Sequence, residues 1–123
     1  MKVTRVAHVS VNVEGHLDAT RDFYRDLFGL ADQPRPEMGI EGHWHRLGDT
    51  GGVELHLVDA KASGSGIDPV GPHYCVFVDD LDGAIAELDE RGIEYYRGAQ
   101  GDVVQVWIND PAGNTVELQQ DRV

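Results

Sequence analysis

The chain has 123 residues, of which 41% are hydrophobic and 26% charged, as expected for one globular domain. Its 10 basic and 22 acidic side chains give a net charge of −12. Such a surface repels phosphate backbones and anionic headgroups, which argues against nucleic-acid and membrane partners. The single cysteine, Cys75, cannot form an internal disulfide, and the N-terminus alternates instead of running apolar. We therefore expect a cytoplasmic protein.

The first half predicts a strand, a helix and two further strands. Residues 3–13 alternate between aliphatic and polar side chains, which is typical of a strand with one apolar and one polar face. Residues 16–28 change to helical spacing, and the predicted helix ends at Gly29. A loop follows, and residues 43–48 and 53–58 then predict strands on either side of a DTGG turn.

The second half repeats this order. A stretch rich in Gly and Ser predicts a linker over about residues 61–70. The segments after it predict one strand, one helix and three strands, in the order 71–78, 80–92, 93–98, 102–110 and 114–120.

The two halves share landmarks at a nearly constant separation of 63 to 65 positions. These are a strand histidine, a Leu-Asp pair, a glycine after the helix and a Val-Glu-Leu strand: His8 and His73, 17–18 and 81–82, Gly29 and Gly92, 53–55 and 116–118. The repetition predicts an α+β domain over residues 1–123, built from two βαβββ modules. The first module covers about residues 1–60 and the second about 71–121.

Each half places a histidine in its first strand and a glutamate in its last strand. These residues are His8 and Glu54 in the first half and His73 and Glu117 in the second. Their strand neighbours are mainly aliphatic and should pack on the helices, so the four side chains should line the other side of a curved sheet. A carboxylate in a partly dry cup is costly unless it is paired, protonated or bound to a cation. The pattern predicts one divalent ion: Mn, Fe, Co, Ni or Zn.

The fourth ligand has two candidates in the sequence. Glu54 and His56 lie two positions apart, so both should point into the cup. His56 as the ligand would leave Glu54 as its neighbour or as the base. Without Glu54 as a ligand, the other three residues form a two-His-one-carboxylate face that suits ferrous dioxygenase chemistry.

Further residues are candidates for lining a substrate pocket. They are polar or aromatic side chains near the predicted ligands: Asn12, Trp44, His45, His56, Cys75, Gln105 and Trp107. The alternative for the two tryptophans is packing in the hydrophobic core.

Several segments together resemble the vicinal-oxygen-chelate superfamily, the glyoxalase, bleomycin-resistance and extradiol dioxygenase group. These segments are AHVSVNV, RDFYRDLFGL, VELHLV, GPHYCVFVDDLDGAIAELDERGI and NDPAGNTVEL, and the resemblance runs from residue 3 to about 120. It implies paired βαβββ modules whose eight strands form an open cup around the metal. It also implies a homodimer that often builds each cup from two chains, and a substrate that binds the metal through vicinal oxygens. Carried over by position, the His and Glu set coincides with the ligand positions of glyoxalases and epimerases.

The resemblance implies a glyoxalase-like lyase or isomerase acting on a small oxygenated metabolite, with Glu117 and Glu54 as catalytic residues. The sequence departs from glyoxalase I in one respect: its first strand offers Ser10 and Asn12 where an arginine usually meets glutathione. One alternative is a metal-free, bleomycin-resistance type protein that sequesters a small, cationic drug. A further alternative is an Fe(II) extradiol-type dioxygenase.

Overall fold

The computed structural model describes residues 2–49, 51–62 and 66–122. The chain divides into two compact units, Met1–Ser63 and Gly64–Val123, and each contains one βαβββ module. Within the described residues, no helix is both long and apolar enough to cross a membrane.

The first module forms a four-stranded mixed sheet with one helix. Its elements are β1 (His8–Asn12), α1 (Leu17–Phe28), β2 (Asp32–Gln33), β3 (Gly42–Arg46) and β4 (Glu54–Val58). The strand order is β1-β4-β3-β2, with β1 and β4 parallel and the other pairs antiparallel.

The second module repeats this topology. Its elements are β5 (His73–Val78), α2 (Leu81–Arg91), β6 (Tyr95–Gln100), β7 (Val103–Asn109) and β8 (Thr115–Gln120). The strand order is β5-β8-β7-β6, again with a parallel pair between the first and last strands.

The core of each module follows from the alternation along its last strand. Leu55 and Leu57 of β4 are fully buried, and Val116 and Leu118 of β8 are at most 2% exposed. Burying a side chain of this size stabilises the fold by about 1.5–3 kcal/mol relative to leaving it exposed. The residues between them on the same strands lie on the opposite face of each sheet. The aliphatic residues therefore fix which face is left for Glu54 and Glu117.

Both helices end as the sequence predicts, but they begin differently. Gly29 and Gly92 adopt left-handed conformations, with φ of 65° and 67°, that favour glycine after a helix. At the N-terminus of α2 the side chain of Asp80 accepts a hydrogen bond from the backbone of Gly83, whereas His16 makes no side-chain cap at α1. The first helix therefore lacks a stabilising contact that the second one has.

The structure confirms the α+β fold of two βαβββ modules and corrects two details. The first strand begins at His8 instead of residue 3, and the segment predicted as a loop contains the two-residue strand β2. Residue 50 of the predicted DTGG turn and residues 63–65 of the predicted linker lie outside the described residues.

Candidate functional site

Strand register defines a polar face on the first sheet. His8 pairs with Glu54, and His56 pairs with both Ser10 and Trp44. Paired residues on neighbouring strands point to the same side of a sheet. The polar face of the first module therefore carries His8, Trp44, Glu54 and His56, and the fully buried leucines of β4 occupy the other face.

An aromatic stack dominates this polar face. The ring of His56 lies between those of His8 and Trp44, with centroid distances of 4.2 Å and 4.0 Å and nearly parallel planes. Nε2 of His56 lies 3.2 Å from Oε1 of Glu54, whose side chain is 31% exposed. The stack thus fixes the ring that orients the Glu54 carboxylate.

The second module holds its glutamate more tightly. Glu117 is 5% exposed, and its carboxylate accepts hydrogen bonds from Nε2 of Gln119 at 2.5 Å and Nε2 of Gln105 at 3.5 Å. Its Oε1 lies 3.1 Å from Nε2 of His73. Trp107 is the direct cross-strand partner of Glu117, and its buried Nε1 has no hydrogen-bond partner among the described residues.

These contacts shift two pKa values in opposite directions. Burial alone would raise the pKa of Glu117, but hydrogen bonds from Gln119, Cys75 and Gln105 oppose it, and the pKa is lowered. Although Cys75 as a whole is exposed, partial burial of its thiol, together with the neighbouring Glu117 carboxylate, raises its pKa to about 12. Glu117 is therefore an anion at neutral pH, and Cys75 is a protonated thiol rather than a nucleophile.

The two contacts of His73 determine which ring nitrogen carries a proton. Nδ1 lies 2.9 Å from the carbonyl oxygen of Gly71, and because a carbonyl oxygen only accepts, Nδ1 is the donor. A neutral ring then presents the lone pair of Nε2 to the carboxylate of Glu117. Two acceptors this close repel each other unless a cation lies between them, either the proton of an imidazolium ring or a metal ion.

The predicted site residues divide between the polar faces of the two modules, with the one exception of His45. His8, Trp44, Glu54 and His56 share the first polar face, and His73, Cys75, Gln105, Trp107 and Glu117 share the second. Asn12 pairs with Val58 and so also lies on the first polar face, at the end of β1, where its side chain donates to the carbonyl oxygen of Lys61 at 3.0 Å. His45 pairs with Leu55, so it lies on the opposite face from Trp44, where it contacts Tyr24 of α1.

Gln119 also contacts Glu117, although it was not among the site residues predicted from the sequence. It lies two positions after Glu117 on β8, on the same face, and makes the shortest of the hydrogen bonds to that carboxylate. The repeat contained the signal, because Gln119 lies 63 positions after His56, the same separation as between Glu54 and Glu117. Both residues therefore support the glutamate of their own module.

Comparisons with known proteins agree with the architecture. The sequence model of the Glyoxalase/Bleomycin resistance protein/Dioxygenase superfamily matches residues 5–118. A glyoxalase family protein from Bacillus anthracis superposes with a TM-score of 0.81 at 25% identity, covering 99% of this chain and 98% of that chain. TnmS3, an antibiotic binding protein from Streptomyces sp. CB03234, gives 0.73 at 27% identity, with 98% of each chain covered.

A lactoylglutathione lyase from Agrobacterium tumefaciens gives a TM-score of 0.72 at 23% identity, covering 98% of this chain and 96% of that one. No curated protein is significantly similar to the chain in sequence. These neighbours differ in activity, since one is a lyase and another an antibiotic binding protein.

Each module is a mixed four-stranded sheet that carries a His–Glu pair on its polar face. Because the family model covers most of the sequence, the chain belongs to the Glyoxalase/Bleomycin resistance protein/Dioxygenase superfamily. The family resemblance in the sequence is thereby confirmed.

Proposed function

We propose that this chain is a divalent-metal-dependent lyase or isomerase acting on a small oxygenated metabolite. In this proposal His8, Glu54, His73 and Glu117 are the ligands of one metal ion. The observation that carries the proposal is the facing pair of acceptors in the second module, where Nδ1 of His73 donates to Gly71 and Nε2 faces Glu117. Histidines that bind a metal through one ring nitrogen commonly donate a hydrogen bond from the other nitrogen, for example to a backbone carbonyl oxygen.

The donor set of the second module fits such an ion. Adjacent ligands of an octahedral ion with bonds of about 2.1 Å lie about 3.0 Å apart, and Nε2 of His73 lies 3.1 Å from Oε1 of Glu117. A buried carboxylate held by amide donors keeps its negative charge, which favours a divalent cation. Nitrogen and oxygen donors without a thiolate suit Mn, Fe, Co, Ni or Zn.

Glu54 is the better choice for the fourth ligand, with His56 as its support. His56 is held between two rings and its Nε2 points at Glu54, so it orients that carboxylate as an outer-shell donor does. Of the two glutamates, Glu54 has fewer hydrogen-bonding side chains in the described part of the chain and is more exposed. We therefore assign Glu54 as the ligand that would leave the metal to accept a proton from the substrate and return it.

The bound metal would supply electrophilic stabilisation to an oxygen of the substrate that becomes negatively charged. The chain's own residues have separate tasks. Glu117 remains ionised because its neighbours donate to it, Glu54 moves the proton, and Trp44 and Trp107 limit water at the two polar faces.

We also propose that the chain works as a two-fold dimer that exchanges modules to complete its cups. The repeated module supports this, because each half carries the same pair of ligand types. Light scattering at working concentration tests the dimer, and a monomeric mass would remove it while leaving the metal proposal intact.

A second function has a specific observation in its favour. TnmS3 binds an antibiotic and is 27% identical to this chain, and the flat stack of Trp44, His56 and His8 is a surface on which a planar ring could lie. In that case the chain would sequester a small molecule without metal or turnover.

Metal titration followed by an exchange assay separates these functions. Chelator-stripped protein is titrated with Mn, Co, Ni, Zn and anaerobic Fe(II), and the loaded forms are then incubated in D₂O with α-hydroxy ketones and catechols. Metal-dependent exchange of a carbon-bound hydrogen, seen by NMR, supports the proposal. Ring cleavage of a catechol by the Fe(II) form with O₂ would favour the dioxygenase, and binding of a planar cationic drug without metal uptake would favour sequestration.

A further inference from the structure

A second group of metal-binding side chains lies on the other side of the first sheet. Asp32 of β2 and His43 and His45 of β3 each offer a ligand atom, and these atoms lie within 4.8 Å of one another. His43 pairs with Leu57, and His45 pairs with both Leu55 and Asp32. The three residues therefore share the face that carries the buried leucines, and they are separate from the polar face of this module.

His45 is the unusual member of this group. Its side chain is 0% exposed, and neither ring nitrogen makes a hydrogen bond of normal geometry among the described residues, the backbone of Ala31 offering only a weak contact. Leaving a buried polar group unsatisfied costs about 1–3 kcal/mol. Its Nδ1 points at Oδ1 of Asp32 across 3.6 Å, too long for a hydrogen bond and close enough for both atoms to bind one ion.

The distances between the candidate ligand atoms are compatible with a single metal ion. Nε2 of His43 lies 2.8 Å from Oδ1 of Asp32, and Nδ1 of His45 lies 3.6 Å from the same oxygen. In a tetrahedral zinc site with bonds of about 2.1 Å, neighbouring ligands lie about 3.4 Å apart, between these two distances. Small side-chain movements would bring all three atoms onto one ion.

The neighbouring Arg25 leaves one carboxylate oxygen of Asp32 available to a metal ion. Nη2 of Arg25 lies 2.9 Å from Oδ2 of Asp32 and 3.1 Å from Oδ1. Arg25 can keep Oδ2 while Oδ1, which faces both histidines, takes the metal. The side chains of Asp32 and His43 are 50% and 22% exposed, which gives the ion a path from solvent.

We propose that Asp32, His43 and His45 bind a divalent transition-metal ion, with Zn²⁺ as the best match, at a site distinct from the His–Glu pairs. Two imidazoles and one carboxylate make up three positions of a tetrahedron, and water completes the fourth. Bound metal satisfies Nδ1 of the buried His45 ring and attaches the two-residue strand β2 to β3. The site is therefore structural, and it stabilises the edge of the first sheet.

Zinc counting across four proteins tests the proposal independently of activity. Chelator-stripped wild type, Asp32→Asn/His43→Gln, Glu54→Gln/Glu117→Gln and the combined quadruple variant are titrated with Zn²⁺ against a chromogenic chelator. His16→Gln, which removes an exposed histidine of the same module, is the matched control. Circular dichroism confirms that each protein is folded.

The Glu54→Gln/Glu117→Gln protein should keep one zinc equivalent, and the quadruple variant should bind at least about 100-fold more weakly. Zn²⁺ should raise the melting temperature of the Glu54→Gln/Glu117→Gln protein and leave that of the quadruple variant unchanged. Co²⁺ bound to the Glu54→Gln/Glu117→Gln protein should give the intense visible absorption of a four-coordinate ion. Equal zinc binding by these two proteins, or no zinc bound by the Glu54→Gln/Glu117→Gln protein, would overturn the proposal.

Discussion

The polar faces of the two modules carry the same pair of residue types in different surroundings. In the second module Glu117 is buried and takes hydrogen bonds from the amides of Gln105 and Gln119. In the first module Glu54 is partly exposed and faces His56, which stacks on aromatic rings. A duplicated sequence pattern therefore reproduces the donor atoms without reproducing their environment.

Strand register is one source of this difference. His8 is the direct cross-strand partner of Glu54, whereas His73 is paired with Thr115 and Glu117 lies two residues further along. Despite that offset, His73 contacts Glu117 at 3.1 Å, while the contact to Glu54 comes from His56. We infer that Glu117 serves as a fixed anion, whereas Glu54 is able to exchange a proton.

The largest expected effect is a loss of stability at acidic pH, and its source, His45, lies in the first module. Burial, with help from the charge of His43, lowers the pKa of His45 to about 4 from 6.5. Between these values the unfolded chain binds the proton more readily, so the free energy of unfolding should fall as pH decreases from 6.5 to 4, by about 3 kcal/mol in total. Urea unfolding in chelator-containing buffer measures this decrease.

His45→Gln should flatten that pH dependence, and His16→Gln should leave it unchanged. NMR titration of His45 in the wild type provides a check that does not require a folded variant. A His45 ring that takes up its proton near pH 6.5 would contradict this prediction.

The next effect tests the asymmetry between the glutamates directly. Glu117→Gln should weaken metal binding on the order of 100-fold, because a buried anionic ligand is lost, and Glu54→Gln should weaken it about tenfold. A competing chelator measures both affinities, with the exposed Glu90→Gln as control. The opposite ranking of the two variants would mean that the exposed glutamate is the main ligand.

A smaller effect tests whether His56 and Gln119 are equivalent supports. His56→Phe keeps a ring in the stack and removes the hydrogen bond to Glu54, and Gln119→Leu removes the shortest bond to Glu117. Each should weaken metal binding about tenfold while the fold is kept. Unchanged affinity in both variants would show that these contacts only fill space.

The smallest effect compares the two helices. Asp80→Ala should lower the free energy of unfolding by about 1 kcal/mol, because the cap at Gly83 is lost. His16→Asp should raise it by about 0.5–1 kcal/mol by supplying the missing cap to α1. Chemical denaturation measures both, and a stabilising effect of Asp80→Ala would contradict the role of the cap.

Periodicity predicted most of the fold because β1, β4 and β5 alternate along their length and a glycine follows each helix. The aliphatic positions around Glu54 and Glu117 were sufficient to predict which face each glutamate takes. Strand β2 was missed because two residues, Asp32 and Gln33, are too short to show a period.

The location of His45 shows where sequence patterns stop being informative. Trp44 and His45 are adjacent, so only one of them can share a face with Glu54, and strand pairing decides which. The register that places Trp44 beside His56 also places His45 beside Leu55 and Asp32. Pairing between distant segments is a tertiary property, and a single strand's alternation does not contain it.

Anomalous diffraction from crystals of the Ni²⁺-loaded protein tests the central claim most directly. We expect one peak about 2.0–2.2 Å from a donor atom of each of His8, Glu54, His73 and Glu117, from one chain or from two related by a two-fold axis. Full occupancy of nickel with no peak at these side chains would contradict the account.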